Sequence, residues 1–188
     1  MRSKVLLLSF VIALPVFGAE VSGVKIEDKA QLGSAELVLN GAGLRKLVFF
    51  NVYAMGLYLP KKTSSAAEAI AMDGPKRASL RMLRDVGAAR FTKALTEGIE
   101  ENHTEAQVKA LAPRIQALTA IMAEVGEAKK GMTITLDWNG AATVIGVAGT
   151  PTGKPIEGAD FYRALLRIWL GEKPVQEDLK KALLGAAQ

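Results

Sequence analysis

Between Asn40 and Pro60 the chain reads NGAGLRKLVFFNVYAMGLYLP, a nearly unbroken apolar run with one arginine and one tyrosine embedded in it. Taken with a period of two, one side carries Arg45, Leu47, Phe49, Asn51, Tyr53, Met55, Leu57 and Leu59. The other side carries Leu44, Val48, Phe50, Val52, Ala54 and Tyr58. Both sides are largely apolar, so the pattern predicts a strand covered on both faces, or covered on one and bordering an apolar cavity on the other. Arg45 and Tyr53 fall on the same side. A guanidinium set in an apolar surface is costly unless an anion or other acceptor meets it, which makes this the place for a carboxylate or phenolate ligand. The competing reading puts Arg45 in a loop after Gly41-Ala42-Gly43, pointing into water.

Around this stretch the pattern predicts a mixed chain. Val21 to Ile26 and Ala35 to Leu39 read as strands, the second leading into an Asn40-Gly41 turn. Ser65-Ala66-Ala67-Glu68 has capping-box spacing and opens a short crossover helix, closed by Asp73-Gly74-Pro75. Arg77 to Arg84 alternates, with Ala78, Leu80, Met82 and Arg84 on one face. Arg84 is thus a second candidate cation for a pocket, although a charge at a strand end also reaches solvent easily. Ala88 to Asn102 is an amphipathic helix with Phe91, Ala94, Leu95, Gly98 and Ile99 on one face. Thr104 to Gln107 has capping-box spacing and starts another, kinked at Pro113, whose stripe from Val108 to Val125 predicts a helical hairpin lying against a sheet. Met132 to Trp138, Asn139-Gly140 and Ala142 to Val147 form a β-hairpin with a primed turn. Gly149 to Gly158 reads as a loop, Phe161 to Leu170 as a buried helix, and Gln176 to Leu184 as a short terminal helix.

The N-terminus changes the picture. Arg2 and Lys4 precede an apolar run from Val5 to Val16, which ends at the small residues Gly18 and Ala19. This predicts a secretory signal peptide over residues 1–19, cut after Gly18 or Ala19, and a single domain over residues 20–188. The expected location is periplasmic or secreted, with no stable membrane insertion once the signal is gone. Its removal takes the formal charge from +5 to about +3, and no basic stripe interleaved with aromatics remains, so nucleic acid is not an expected partner.

Conventional chemistry is scarce. The chain has no cysteine and one histidine, His103, which leaves almost no ligands for a transition metal; no cofactor is expected. Gly41-Ala42-Gly43 lacks the lysine and the following helix of a phosphate loop. The adjacent Glu100 and Glu101 read as solvated charges.

GAGLRKLVFFNVYAMGLYLP, RFTKALTEGIEEN, GMTITLDWNG and FYRALLRIWLGEKPVQEDLKKALLG together resemble the chalcone isomerase-like family in its bacterial exported branch. The resemblance implies an α+β fold: a curved antiparallel sheet packed against a layer of helices with a ligand cleft between. That family includes enzymes that close chalcones to flavanones and non-catalytic relatives that bind fatty acids. In the enzymes an arginine matching Arg45 steers the phenolate, while a threonine, a tyrosine, an asparagine and a second threonine complete the site. Those four places align here with Tyr53, Phe91, Gly98 and Ile168, so the donors for the substrate ketone and a catalytic water are missing and cyclisation is expected to be lost or feeble. The fatty-acid-binding relatives pair the arginine with a tyrosine in a Val-Tyr-Ala setting, as Arg45 and Tyr53 are placed here. The resemblance therefore implies non-catalytic binding of a fatty acid or similar amphipathic carboxylate, with an intramolecular lyase of the chalcone isomerase type as the alternative. Apolar walls are expected from Phe49, Met55, Leu80, Met82, Phe91, Leu95, Ile168 and Trp169.

Overall fold

The computed structural model describes residues 18–186, so the signal-peptide reading lies outside the described residues except at its last two. The chain opens with β1 (Glu20–Val21) and β2 (Val24–Lys25), a tight hairpin where the sequence predicted a single strand. β3 (Lys29–Leu32), β4 (Ala35–Leu47) and β5 (Phe50–Leu59) follow, then α1 (Ala66–Ala71) and β6 (Lys76–Met82). β7 (Val86–Gly87) leads into α2 (Ala88–Glu101) and α3 (Glu105–Val125), and β8 (Glu127–Ala128) returns beside β7. β9 (Thr133–Trp138), β10 (Ala142–Val147) and β11 (Thr150–Glu157) precede α4 (Ala159–Leu170) and α5 (Glu177–Leu183). Seven of these strands form one curved antiparallel sheet in the order β11-β10-β9-β6-β5-β4-β3, backed by helices.

Three expectations about this framework are corrected. β4 does not turn at Asn40-Gly41 but runs straight through, with the pairing to β5 slipping by one residue between Leu39 and Gly41. α1 is not a crossover, because β5 and β6 are antiparallel neighbours and the helix only caps their connection. The Gly149 to Gly158 segment is no loop: it holds β11, at the sheet edge, where Pro151 and Pro155 need not donate to a ladder on the outer side.

Helix ends follow local chemistry. The Ser65 hydroxyl accepts from Glu68 N at the start of α1, and Thr104 and Gln107 form a reciprocal capping box on α3. Pro113 sits inside α3 without ending it. α4, whose Phe161, Tyr162, Leu165, Ile168 and Trp169 are all buried, lies against β10 and carries α1 and α2 on its flanks. α3 packs on α2 and β11, and α5 on β4. Two apolar clusters result: the large one between sheet and helices, and a smaller one on the other sheet face around Leu37, Leu39, Ala54 and Tyr58.

One buried cation stands out in this framework. Lys76 begins β6, is 2% exposed, and donates from Nζ to Ile70 O at 3.0 Å. Burial, reinforced by the nearby Arg163 and only partly offset by Asp73, pushes its pKa down to about 8. The unfolded chain then holds this proton more tightly than the folded one, so stability rises as pH climbs from about 8 towards 10.5. Lys76→Met is expected to stabilise the fold at neutral pH by about 1 kcal/mol and to flatten that rise. Denaturant unfolding at several pH values checks both; an unchanged slope in the variant would assign it elsewhere.

Candidate functional site

Alternation along β4 alone would place Arg45 with Leu37 and Leu39, on the sheet face away from the helices. The one-residue slip at Asn40 reverses this. Before it, Leu39 pairs with Tyr58; after it, Gly43 pairs with Met55 and Arg45 with Tyr53, on the side of the large core. The extra residue is held in place on both ends of its amide: Asn40 Nδ2 donates to Leu183 O at 2.7 Å, and Asn40 Oδ1 accepts from Thr63 N at 2.7 Å. A buried side chain satisfied in this way fixes the register at which Arg45 meets Tyr53.

Tyr53 is buried, and its hydroxyl accepts from Trp169 Nε1 at 2.9 Å. Burial raises the phenol pKa most, while the Trp169 hydrogen bond and the positive charge of the Arg45 guanidinium pull the other way. The balance leaves a neutral phenol that accepts from Trp169 and still carries a proton to give. Arg45, half-buried at the rim, donates to Lys46 O and to Gln176 Oε1, the latter at 3.4 Å. Gln176 also accepts from Lys46 N at 2.8 Å and donates to Leu44 O at 3.1 Å, pinning the chain ahead of α5 to β4. Both acceptors on the guanidinium are neutral, and no described carboxylate forms an ion pair with it. A cleft of about 330 Å³ lined by Leu44, Lys46, Gln176, Asp178 and Lys181 opens alongside.

The other predicted residues divide. Met55, Leu80 and Met82 from the sheet, Phe91 and Leu95 from α2, and Ile168 and Trp169 from α4 all join Tyr53 in the large core, each 5% exposed or less. They pack as core, and the larger clefts, of about 890 Å³ between α2 and α3 and about 930 Å³ beside α1 and α4, are lined by other residues. The four positions aligned with the enzyme site, Tyr53, Phe91, Gly98 and Ile168, lie on this same seam. A Cβ on Gly98 would come within 2.8 Å of Ile168 Cγ2, so α2 and α4 close on each other there.

Phe49 and Arg84 are not brought to the site. The run that reads as one strand is a hairpin turning at Val48-Phe49, which leaves Phe49 93% exposed at the tip. Arg84 lies beyond the end of β6, its guanidinium carbon 4.5 Å from the centre of the Phe50 ring. Asn40 and Gln176, by contrast, position the site without having been singled out. Asn40-Gly41 reads in sequence as a turn, and nothing local marks Gln176, whose partners lie about 130 residues away in sequence.

A family model described as chalcone isomerase-like matches residues 18–185. No curated protein matches the chain by sequence. Among solved structures, a fatty-acid binding protein of Arabidopsis thaliana superposes with a TM-score of 0.68 at 14% identity, over 87% of this chain and 92% of that one. At that identity the likeness is one of fold.

Proposed function

The chain belongs to the chalcone isomerase-like family, and from that premise we propose that it is a non-catalytic binding protein for a fatty acid or similar amphipathic carboxylate, working after export from the cytoplasm. The observation that carries this reading is the guanidinium of Arg45, which stands beside a neutral buried phenol and lacks a counter-ion among the described residues. A carboxylate arriving through the cleft beside Gln176 satisfies both groups: it takes charge-assisted donation from Arg45 and the proton of Tyr53. The acyl chain then parts the sheet from α2 along Met55, Leu80, Met82, Phe91 and Leu95, where the unbranched methionines re-pack most easily. The name of the Arabidopsis structure supports the ligand class, since it describes a fatty-acid binding protein.

Lipid extraction and mass spectrometry of the protein purified from its native compartment tests the proposal directly. A bound carboxylate-bearing lipid is the expected result, and the intact mass of the same purified protein shows whether the chain starts after Gly18 or Ala19. Ring closure of an added chalcone well above the spontaneous rate would overturn the non-catalytic reading in favour of an intramolecular lyase.

A further inference from the structure

Every exposed large apolar side chain among the described residues sits on one turn: Leu47 at 49%, Val48 at 78%, Phe49 at 93% and Phe50 at 57% exposure. Leu47 pairs with Phe50, so the turn between β4 and β5 has two central residues. The first of them, Val48, has φ 54. This is the left-handed region, where a β-branched residue is strained and where glycine or asparagine ordinarily stands in a two-residue hairpin. The tip thus keeps an apolar, strained side chain where a polar one would suit both the backbone and water.

Cations surround it. Lys46 precedes the turn, and Arg84 lies over Phe50. Lys129 and Lys130, both exposed, are brought to the same end of the sheet because Gly131 N donates to Met82 O at 2.8 Å. Of the acids near this end, Asp85 accepts from Lys130 N at 2.6 Å, Asp178 borders the cleft beside Lys46, and Glu127 pairs with Gly87 in the short β7–β8 ladder. Among the described residues no ion pair occupies Lys46, Arg84, Lys129 or Lys130.

We propose that the Leu47–Phe50 turn docks the protein on an anionic lipid bilayer, its apolar side chains entering the interface and Lys46, Arg84, Lys129 and Lys130 meeting the phosphates. Apolar burial and attraction to anionic lipid act together in such peripheral binding. A second copy of the chain is the poorer occupant, because four residues on a narrow turn fall well short of the roughly 1,200 Å² that a stable interface buries. The inference stands on the turn alone and needs no ligand in the core. It also places Arg45, two residues from Leu47, at the lipid surface.

The test is flotation of the purified protein with vesicles of phosphatidylcholine alone and of phosphatidylcholine mixed with phosphatidylglycerol. The protein is expected to float with the anionic vesicles, less with the neutral ones, and less again at high salt. Val48→Gly with Phe49→Asn puts glycine where the backbone has positive φ and a polar residue beside it, so the double variant should melt no lower than the parent while its vesicle-bound fraction falls by about tenfold or more. Lys129→Glu with Lys130→Glu should lose only the preference for anionic vesicles. Parent protein that stays in the aqueous fraction with both vesicles, or a double variant that floats like the parent, overturns the proposal. A parent dimer that the double variant converts to monomer would assign the turn to a second copy instead.

Discussion

Gly41→Ala is expected to lower the stability of the fold by about 3 kcal/mol or more, at the upper end of what overpacking does. A Cβ at this position would lie 2.2 Å from Ala182 O and 2.6 Å from Leu183 O. Those are backbone oxygens at the end of α5, so no rotamer change makes room; the helix must lift from β4. Lifting it exposes Leu179, Ala182 and Leu183, all now buried, and breaks the Asn40 hydrogen bond to Leu183 O that fixes the slip in β4. For a chain of this size the loss corresponds to a melting point lower by roughly 6–12 °C. Gly98→Ala is the informative contrast. Its close neighbour is the Ile168 side chain, which can turn, and alanine gains helix propensity inside α2, so a net loss of about 1 kcal/mol or less is expected. Thermal melts of the two variants side by side decide the matter. Equal melting points would mean that α5 is free to shift and that Gly41 is not a docking point.

That contrast explains part of what was readable in the chain. The segment GAGLR stands out in sequence, and its first glycine proves to be a packing requirement of a helix about 140 residues further on. Elements whose signal is local came through well. The Met132 to Trp138 hairpin, the capping box on α3 and the mostly apolar α4 carry their instructions within a few residues of themselves. The seam also came through, because Arg45 and Tyr53 do share a face, but for a reason that alternation along one strand does not contain. They are cross-strand partners in a hairpin, and only the slip at Asn40 turns Arg45 towards the helices.

The failures have physical causes of the same kind. A slip in register is set by the partner strand and by the distant groups that satisfy the extra residue, here Thr63 N and Leu183 O, so period counting along one strand misses it. β11 looked like a loop because its prolines and glycines argue against strand, yet at a sheet edge the missing N–H groups do no harm. The turn at Val48-Phe49 was invisible because its residues are the opposite of turn residues. Where sequence and backbone disagree most, at that strained apolar tip, the disagreement itself points to a role outside the fold.

Arg45→Ala is expected to weaken fatty-acid binding by roughly 1.5–3 kcal/mol, about tenfold or more, since it deletes a charge-assisted contact at a partly desolvated rim. Arg45→Lys should restore only part of this, because an ammonium does not reproduce the planar fork. The ligand-free fold should tolerate Arg45→Ala well: the side chain gives up two neutral acceptors, and Gln176 keeps its bonds to Lys46 N and Leu44 O. Tyr53→Phe behaves differently. It removes one donor to the carboxylate, worth on the order of 1 kcal/mol in affinity, and it leaves the buried Trp169 Nε1 without its acceptor, which lowers stability by about 1–3 kcal/mol. The two residues therefore separate: Arg45 moves affinity more than the melt, and Tyr53 moves the melt more than affinity. Titration of a long-chain fatty acid against the three variants, with melts of the ligand-free proteins alongside, reads both quantities. Unchanged affinity in Arg45→Ala would remove the guanidinium from the binding site, and a collapse of its melting point would assign it instead to holding β4 against the chain ahead of α5.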